Sequence, residues 1–442
     1  MTLFTLTNTW LLFYGLIFFI LVKKYDKKSL FIFVSLALLI LCSDQLAGLL
    51  KHTIQRLRPS NDPAVNPLAH VFFNKGGEFG FVSAHAANLF AFATFSIRLF
   101  KNFQYSLFIL IWASIIVYSR IYLGLHYPGD QPLEQLLQAA RASARQSLAC
   151  GVTLVRDAGD RHGVNHRIRD EASVPGSGLA RVRSGGKGIK RPQRYGAFMA
   201  SDVQDEQNIR ESVHALALDN DEIKLILTGI IDFDAGAVTD EPQFTLEEAQ
   251  SVVASARAGG RQVFAHCSGA KGLAIAAAAG VGSIEHGFFM SHQDLALMLK
   301  NKVAWTPTFS PVYFQWAHPE IAAWSVPTVA NLRRILEQHA DHLKRAADMG
   351  VTLLLGTDAG SMGVEHGYAV FGEIQRYLEA GLTLTQTLAA ATANARRHFG
   401  FEYPTLIAGA PFDAVLLAQD PFVQLDALCK PLRGWPAHCD LK

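Results

Sequence analysis

Four apolar runs, Leu3 to Val22, Ser29 to Leu50, Ala84 to Leu99 and Tyr105 to Leu125, occupy the first 130 of the 442 residues. About 20 apolar residues cross a hydrocarbon layer ~30 Å thick; runs one, two and four reach that length, and run three does so with its flanks. The first run has neither a basic n-region nor a small-residue cleavage site, so it reads as a retained span rather than a signal peptide. Asp44 and Gln45 interrupt run two at a depth where polar groups face a bundle interior. An all-α transmembrane helix bundle is the expected fold of this part.

Beyond residue 130 the chain changes character. Residues 1–130 hold 16 of the 29 Phe, with 7 Lys and 4 Arg, whereas residues 131–442 hold 9 Lys and 20 Arg and are rich in Ala and Gly. A membrane domain explains the Phe but not the reversed Lys to Arg preference. Two coding regions of different base composition explain both, because Phe, Ile and Lys use AT-rich codons and Ala, Gly and Arg GC-rich ones. The formal net charge of +2 argues against a nucleic-acid partner. Five scattered cysteines without a CxxC suggest neither a disulfide framework nor a zinc ribbon.

The polar residues of the first part form three clusters. Lys51 and Arg58 leave run two in "KHTIQRLRP", Ser83 and His85 enter run three in "FVSAHAAN", and Arg120, His126 and Asp130 leave run four in "SRIYLGLHYPGD". Runs two and four cross in one direction and run three returns, so the clusters share one membrane face. Fixed cations can hold a phosphoryl group and stabilise its transition-state charge. Of two histidines, one can attack phosphorus while the other protonates the leaving alkoxide, and a carboxylate can fix a tautomer. Interfacial Lys and Arg also snorkel without any such role, although three clusters on one face exceed what snorkelling needs.

These motifs resemble the type 2 phosphatidic acid phosphatases, whose pattern is K-x6-RP, PSGH and SR-x5-H-x3-D. The first and third match without a gap, while "VSAH" has Val82 for Pro and Ala84 for Gly. The resemblance implies His126 as nucleophile, Asp130 as its orienter and His85 as general acid, with Lys51, Arg58, Ser83 and Arg120 binding phosphate and no metal. It covers residues 1–130 and stops. The family continues with another apolar helix, whereas "QPLEQLLQAARASARQSLAC" is too polar to span, so the bundle is expected to be incomplete.

The remainder alternates strands and helices. Strand-like runs include "GVTLVRDAG", "IKLILTG", "QVFAHCSG", "VGSIEHG", "VAWTPTFS" and "VTLLLGTDAG", and helical stretches include Thr245 to Ala258, Gln293 to Asn301 and Thr328 to Met349. Such alternation predicts an α/β fold of the (β/α)8 type. Lys224, His266, His286 and Asp358 fall at or near strand ends, where barrel enzymes keep their chemistry. Two histidines, a carboxylate and a lysine suit a divalent metal, although a single one of these histidines, taken alone, is more often a satisfied core imidazole than a ligand.

The strings around these residues resemble the imidazolonepropionase-like and prolidase-like branch of the amidohydrolase superfamily over most of residues 145–425. That resemblance implies zinc or another divalent metal, a carboxylated Lys224 bridging two metals, His266 and His286 holding one of them, and Asp358 binding the other and acting as general base. The family's H-x-H pair on the first barrel strand has no counterpart in this chain. The barrel is therefore expected without its first strand and with a remnant of an accessory β domain.

The expected organisation is a phosphatase-like domain at 1–130, a junction at 131–144 and an amidohydrolase-like domain at 145–442. The expected function is a hydrolase acting on a lipid or isoprenoid phosphate through a phosphohistidine, fused to a second domain of weak activity. One alternative is a metal-dependent amidohydrolase or dipeptidase acting on a dipeptide or cyclic amide; another is a non-functional fusion produced by rearrangement or assembly error. Four Lys in Lys23 to Lys28 place those turns in the cytoplasm. The chain is then a multi-pass protein of a bacterial inner membrane, with membrane lipid as partner and its C-terminal part on the outer, periplasmic side.

Overall fold

The structure is a computed structural model that describes residues 21–26, 29–54, 84–102, 104–106, 108–109, 133–401 and 412–436. The chain divides into two compact units, Met1–Pro132 and Leu133–Lys442.

In the first unit, helix α1 (Ser29–Ile54) packs against α2 (Ala84–Phe100). The Tyr25 hydroxyl donates to the carbonyl of Leu99 at 2.7 Å, and Asn88 Nδ2 donates to Asp44 Oδ1 at 3.3 Å. These two pairings run in opposite senses along the chain, so the helices are antiparallel. The polar residue expected to face a bundle interior therefore bonds across the helix pair. On α1, Leu30, Phe31, Val34, Leu38 and Leu41 are each at least half exposed. Among the described residues no helix is long and apolar enough to cross a membrane. The first run up to Ile20 and most of the fourth run lie outside the described residues.

The second unit opens with α3 (Leu133–Ala149), the polar helix that follows the last phosphatase-like motif, and α4 (Val164–Ser173). Arg141 of α3 grips both carboxylate oxygens of Glu171 on α4 at 2.7 Å, and Ala144, Ile168, Ala172, Leu179 and Val182 form a small core beneath them. Strand β1 (Leu154–Asp157) pairs in parallel with β2 (Arg181–Ser184).

A six-stranded parallel sheet follows in the order β4-β3-β5-β6-β7-β8, made of β3 (Gly188–Lys190), β4 (Ala200–Asp202), β5 (Ile223–Ile226), β6 (Val263–Cys267), β7 (Ser283–His286) and β8 (Ala304–Thr306). Between them run α5 (Glu206–Ala217), α6 (Leu246–Ala258), α7 (Ala270–Ala279) and α8 (His292–Asn301). After β8 come α9 (Ser310–Ala317), α10 (Pro319–Ala322), α11 (Val326–Met349), α12 (Ala369–Glu379), α13 (Leu384–Ala391) and α14 (Ala393–His398). Thr245 with Glu248 and Ser291 with Asp294 close capping boxes at α6 and α8, which is why those helices start where they do. An antiparallel pair, β9 (Ala414–Leu416) and β10 (Arg433–Trp435), ends the described chain.

Alternation with period two sorts the strand residues. Ile223 and Leu225 of β5, Val263, Ala265 and Cys267 of β6 and Ile284 of β7 join the large core shared with the helices. Lys224, Phe264, His266 and Glu285 consequently belong to the other face. The expected strand "VTLLLGTDAG" meets the sheet at one bridge, Leu353 to Trp305, because Leu354 N still donates to Trp305 O but the next amide, Leu355 N, donates to Ala390 O of α13 instead. Among the described residues the strands do not join into one hydrogen-bonded ring.

Candidate functional site

Lys224, His266 and His286 lie on the adjacent paired strands β5, β6 and β7, and the charge of Asp358, from the loop after Leu354, acts on Lys224 and His286. Ile226 pairs with His266, and Cys267 pairs with His286. The two imidazoles stand edge to face with centroids 4.7 Å apart. Simple alternation would aim His286 outward with Ile284. Its φ of +69° bends the chain at the strand end and brings the ring against His266 instead. Thr308 and Asp358 also have positive φ, +51° and +53°, so backbone strain concentrates around this site.

Hydrogen bonds commit one nitrogen of His266. Gly229 O can only accept, so His266 Nε2 donates to it at 3.3 Å and the lone pair lies on Nδ1. His286 Nδ1 meets the Thr308 hydroxyl at 2.7 Å. Burial pushes the His266 pKa well below its ordinary value, and the neighbouring His286 and Lys224 add to the effect. Burial lowers His286 as well, against the opposing charge of Asp358. Both imidazoles are thus kept neutral, the form that binds metals.

Lys224 is buried, and desolvation lowers it to about 8 against the raising influence of Glu285. The lowered value raises the fraction of neutral amine, the form able to take up carbon dioxide. Glu285 is itself neutralised by Arg156, whose Nη2 lies 2.6 Å away, and it accepts from the Ser283 hydroxyl at 2.5 Å. Asp358 is exposed and accepts from Ser361 Oγ at 3.0 Å.

Sequence reasoning missed Asp157 and Tyr195. Asp157 ends β1 and accepts from Gly159 N at 2.8 Å and Asn165 Nδ2 at 3.1 Å, while burial raises its pKa. Tyr195 lies 5.1 Å from the His266 ring, and burial pushes its phenol well up. The "RDAG" string signalled Asp157; nothing in the local sequence signalled Tyr195.

Among the described residues no three His, Cys, Asp or Glu side chains form a group able to hold a metal. The donor set fits one divalent ion if Lys224 carries a carbamate, since His266, His286 and that carbamate make three ligands. It does not fit two.

In the first unit, the antiparallel crossing puts the C-terminal end of α1, with Lys51, and the first turn of α2, with His85, at the same end of the helix pair. Arg58, Ser83, Arg120, His126 and Asp130 lie outside the described residues.

Comparison with known proteins divides the chain in two. The amidohydrolase family model matches residues 111–434 and the PAP2 superfamily model matches residues 9–131, and both are families of hydrolases. A lipid A 4'-phosphatase of Bacteroides thetaiotaomicron is 43% identical over 136 residues, 29% of this chain and 60% of that protein. The chain thus spans less than two thirds of that relative's length. An uncharacterized protein of Mycobacterium bovis is 29% identical over 312 residues, 69% of this chain and 78% of the other. A solved Xaa-Pro dipeptidase with bound methionine in its active site superposes with a TM-score of 0.58 at 24% identity, covering 69% of this chain and 79% of its own. At that identity the likeness shows the fold, an α/β barrel of the amidohydrolase kind.

Proposed function

The chain belongs to the amidohydrolase family, with a PAP2-type segment ahead of it, and from that premise we propose that its principal activity is removal of phosphate from a membrane lipid by residues 1–130. The single observation that carries the proposal is the gapless K-x6-RP and SR-x5-H-x3-D motifs, in a segment 43% identical to a lipid A 4'-phosphatase.

In this reading Lys51, Arg58, Ser83 and Arg120 hold the phosphoryl oxygens. His126, oriented by Asp130, attacks phosphorus; the bond to the lipid oxygen breaks as the nitrogen–phosphorus bond forms, and His85 gives its proton to the leaving alkoxide. Water, surrendering a proton to His85, then cleaves the phosphohistidine and releases inorganic phosphate. The exposed leucines of α1 suit contact with lipid, and in this reading the four-lysine turn is cytoplasmic and the site faces the periplasm across a multi-pass bundle. The test is phosphate release from a phosphorylated lipid in detergent with EDTA present. His126→Ala is expected to abolish it, and His85→Ala to slow it by about 10²–10⁴-fold. An unchanged rate in His126→Ala would refute the reading.

A second reading applies to residues 145–442, favoured by the neutral His266 and His286 pair beside Lys224. A divalent ion such as zinc, bound by these three, would supply an acidified water for attack on an amide carbonyl. Asp358 would be the group to take up the proton released there, and the neutral imidazoles would offer their lone pairs to the ion. The likeness to a solved Xaa-Pro dipeptidase supports a dipeptide as the substrate of this reading. The absence of an H-x-H pair limits this unit to one ion and to slow turnover.

A further inference from the structure

Behind His286 lies a device with no part in the reading above. The segment 307–310, which leads from β8 into α9, is fixed from two sides. The fully buried Glu373 of α12 accepts from Phe309 N at 2.8 Å, Ser310 N at 3.1 Å and Ser310 Oγ at 2.6 Å. The buried His339 of α11 donates from Nε2 to Pro307 O at 3.0 Å, and its ring stacks on Phe288 with centroids 3.8 Å apart. Glu373 thereby caps the N-terminus of α9 from another helix, since α9 has no side-chain cap of its own.

Between these anchors sits Thr308, a β-branched residue at φ +51°. A β-branched side chain avoids that region, and such a conformation persists only where its surroundings over-determine it. What the strain achieves is visible in the contacts: Thr308 Oγ1 is placed 2.7 Å from His286 Nδ1. Trp305, three residues back on β8, supports the other side, because its Nε1 donates to the carbonyl of His286 at 2.9 Å.

We propose that Glu373 and Thr308 are positioning residues for His286: Glu373 locks the 307–310 segment, and Thr308 accepts the Nδ1 proton so that Nε2 is the nitrogen left with a lone pair. The metal-binding half of this inference rests on the amidohydrolase reading; the tautomer half does not. Burial raises Glu373 to about 7, as expected for a carboxyl kept inside the fold for its hydrogen bonds rather than for its charge. Helix α12 thus governs a ring it does not touch.

The experiment uses the full chain in detergent, labelled with 15N-histidine, with His286→Asn identifying the His286 signals. In the metal-free chain the wild type is expected to show His286 as the Nδ1–H tautomer. Thr308→Val, nearly the same in shape, should lose that preference, and Thr308→Ser should keep it. Zinc titration of the same samples should show binding about 10–100-fold weaker in Thr308→Val and near wild type in Thr308→Ser. Ser310→Ala, which removes one of the three bonds to Glu373, should shift both readouts part of the way, and Glu373→Gln further. A wild-type His286 in the Nε2–H form, or a Thr308→Val chain indistinguishable from wild type in tautomer, would overturn the proposal. A wild-type tautomer equally unmoved by Glu373→Gln and Ser310→Ala would remove Glu373 from it. If the wild type binds no zinc, the metal reading of the site fails while the tautomer comparison still decides the positioning role.

Discussion

The two units treat leucine in opposite ways. In α1 the large apolar residues stand outside, with Leu30 and Phe31 66% and 75% exposed, whereas in β5 every residue from Ile223 to Ile226 is buried. Apolar side chains left exposed on a helix mark a contact surface, whereas the strand hides its own inside a core. The same contrast holds for polar groups. Asp44 of the first unit is met across the helix pair by Asn88, while the second unit buries whole ionic networks such as Arg156 with Glu285 and Glu222. The chain therefore joins two solutions to the folding problem, and that difference matches the break in Lys and Arg usage near residue 130.

Truncating one leucine in each unit gives the largest expected contrast. Leu225→Ala should destabilise the second unit by about 2–5 kcal/mol, since it empties a fully buried position. Leu38→Ala should change the stability of the first by no more than about 0.5 kcal/mol. Thermal or denaturant melts of the two variants decide it, and equal losses would break the comparison.

His339 and Glu373 should make the second unit sensitive to acid. His339 is lowered by burial to about 3, so between that value and its ordinary 6.5 the unfolded chain binds more protons. Its contribution is complete above 6.5 and is lost as pH falls toward 3. Glu373, raised by burial from 4.5 to about 7, works the other way, because the folded chain binds more protons in that window and stability declines as pH rises through it. The two oppose each other from pH 6.5 to 4.5, and below 4.5 His339 acts unopposed by Glu373. Stability should therefore change little down to pH 4.5 and then fall by about 2 kcal/mol toward pH 3 from this residue alone. His339→Phe should flatten that acid limb, and a limb of unchanged steepness would show that other groups control it.

A smaller loss than that of Leu225→Ala is expected at a helix start. Thr245→Ala removes the capping box of α6 and should cost about 1 kcal/mol in the second unit only.

The fold was legible where chemistry repeats along the chain. β5, β6, β7 and β8 fall inside the apolar runs expected to be strands, and α6, α8 and α11 begin at or within two residues of the expected starts. The short strands β2, β3 and β4, with sequences RVRS, GIK and ASD, carry no apolar pattern, so only their tertiary partners identify them. "VTLLLGTDAG" misled for the reverse reason, since its apolar residues pack without sheet partners beyond one bridge. Within the candidate site, Lys224 and His266 follow from alternation alone. The placement of His286 depends on a positive φ at a strand end, which no composition rule announces, and Tyr195 reaches His266 from a distant loop.

The central claim is that the chain carries two hydrolase modules whose chemistry is separable, one independent of metal and one dependent on it. The most direct test treats one preparation of the full chain with a chelator, removes the chelated metal, and measures phosphate release from a phosphorylated lipid alongside zinc content and dipeptide hydrolysis. The expected result is undiminished phosphate release, at most one zinc per chain on reconstitution, and dipeptide hydrolysis that appears only with that zinc. Phosphate release that disappears with the metal, or two zinc ions per chain with rapid dipeptide hydrolysis, would contradict it.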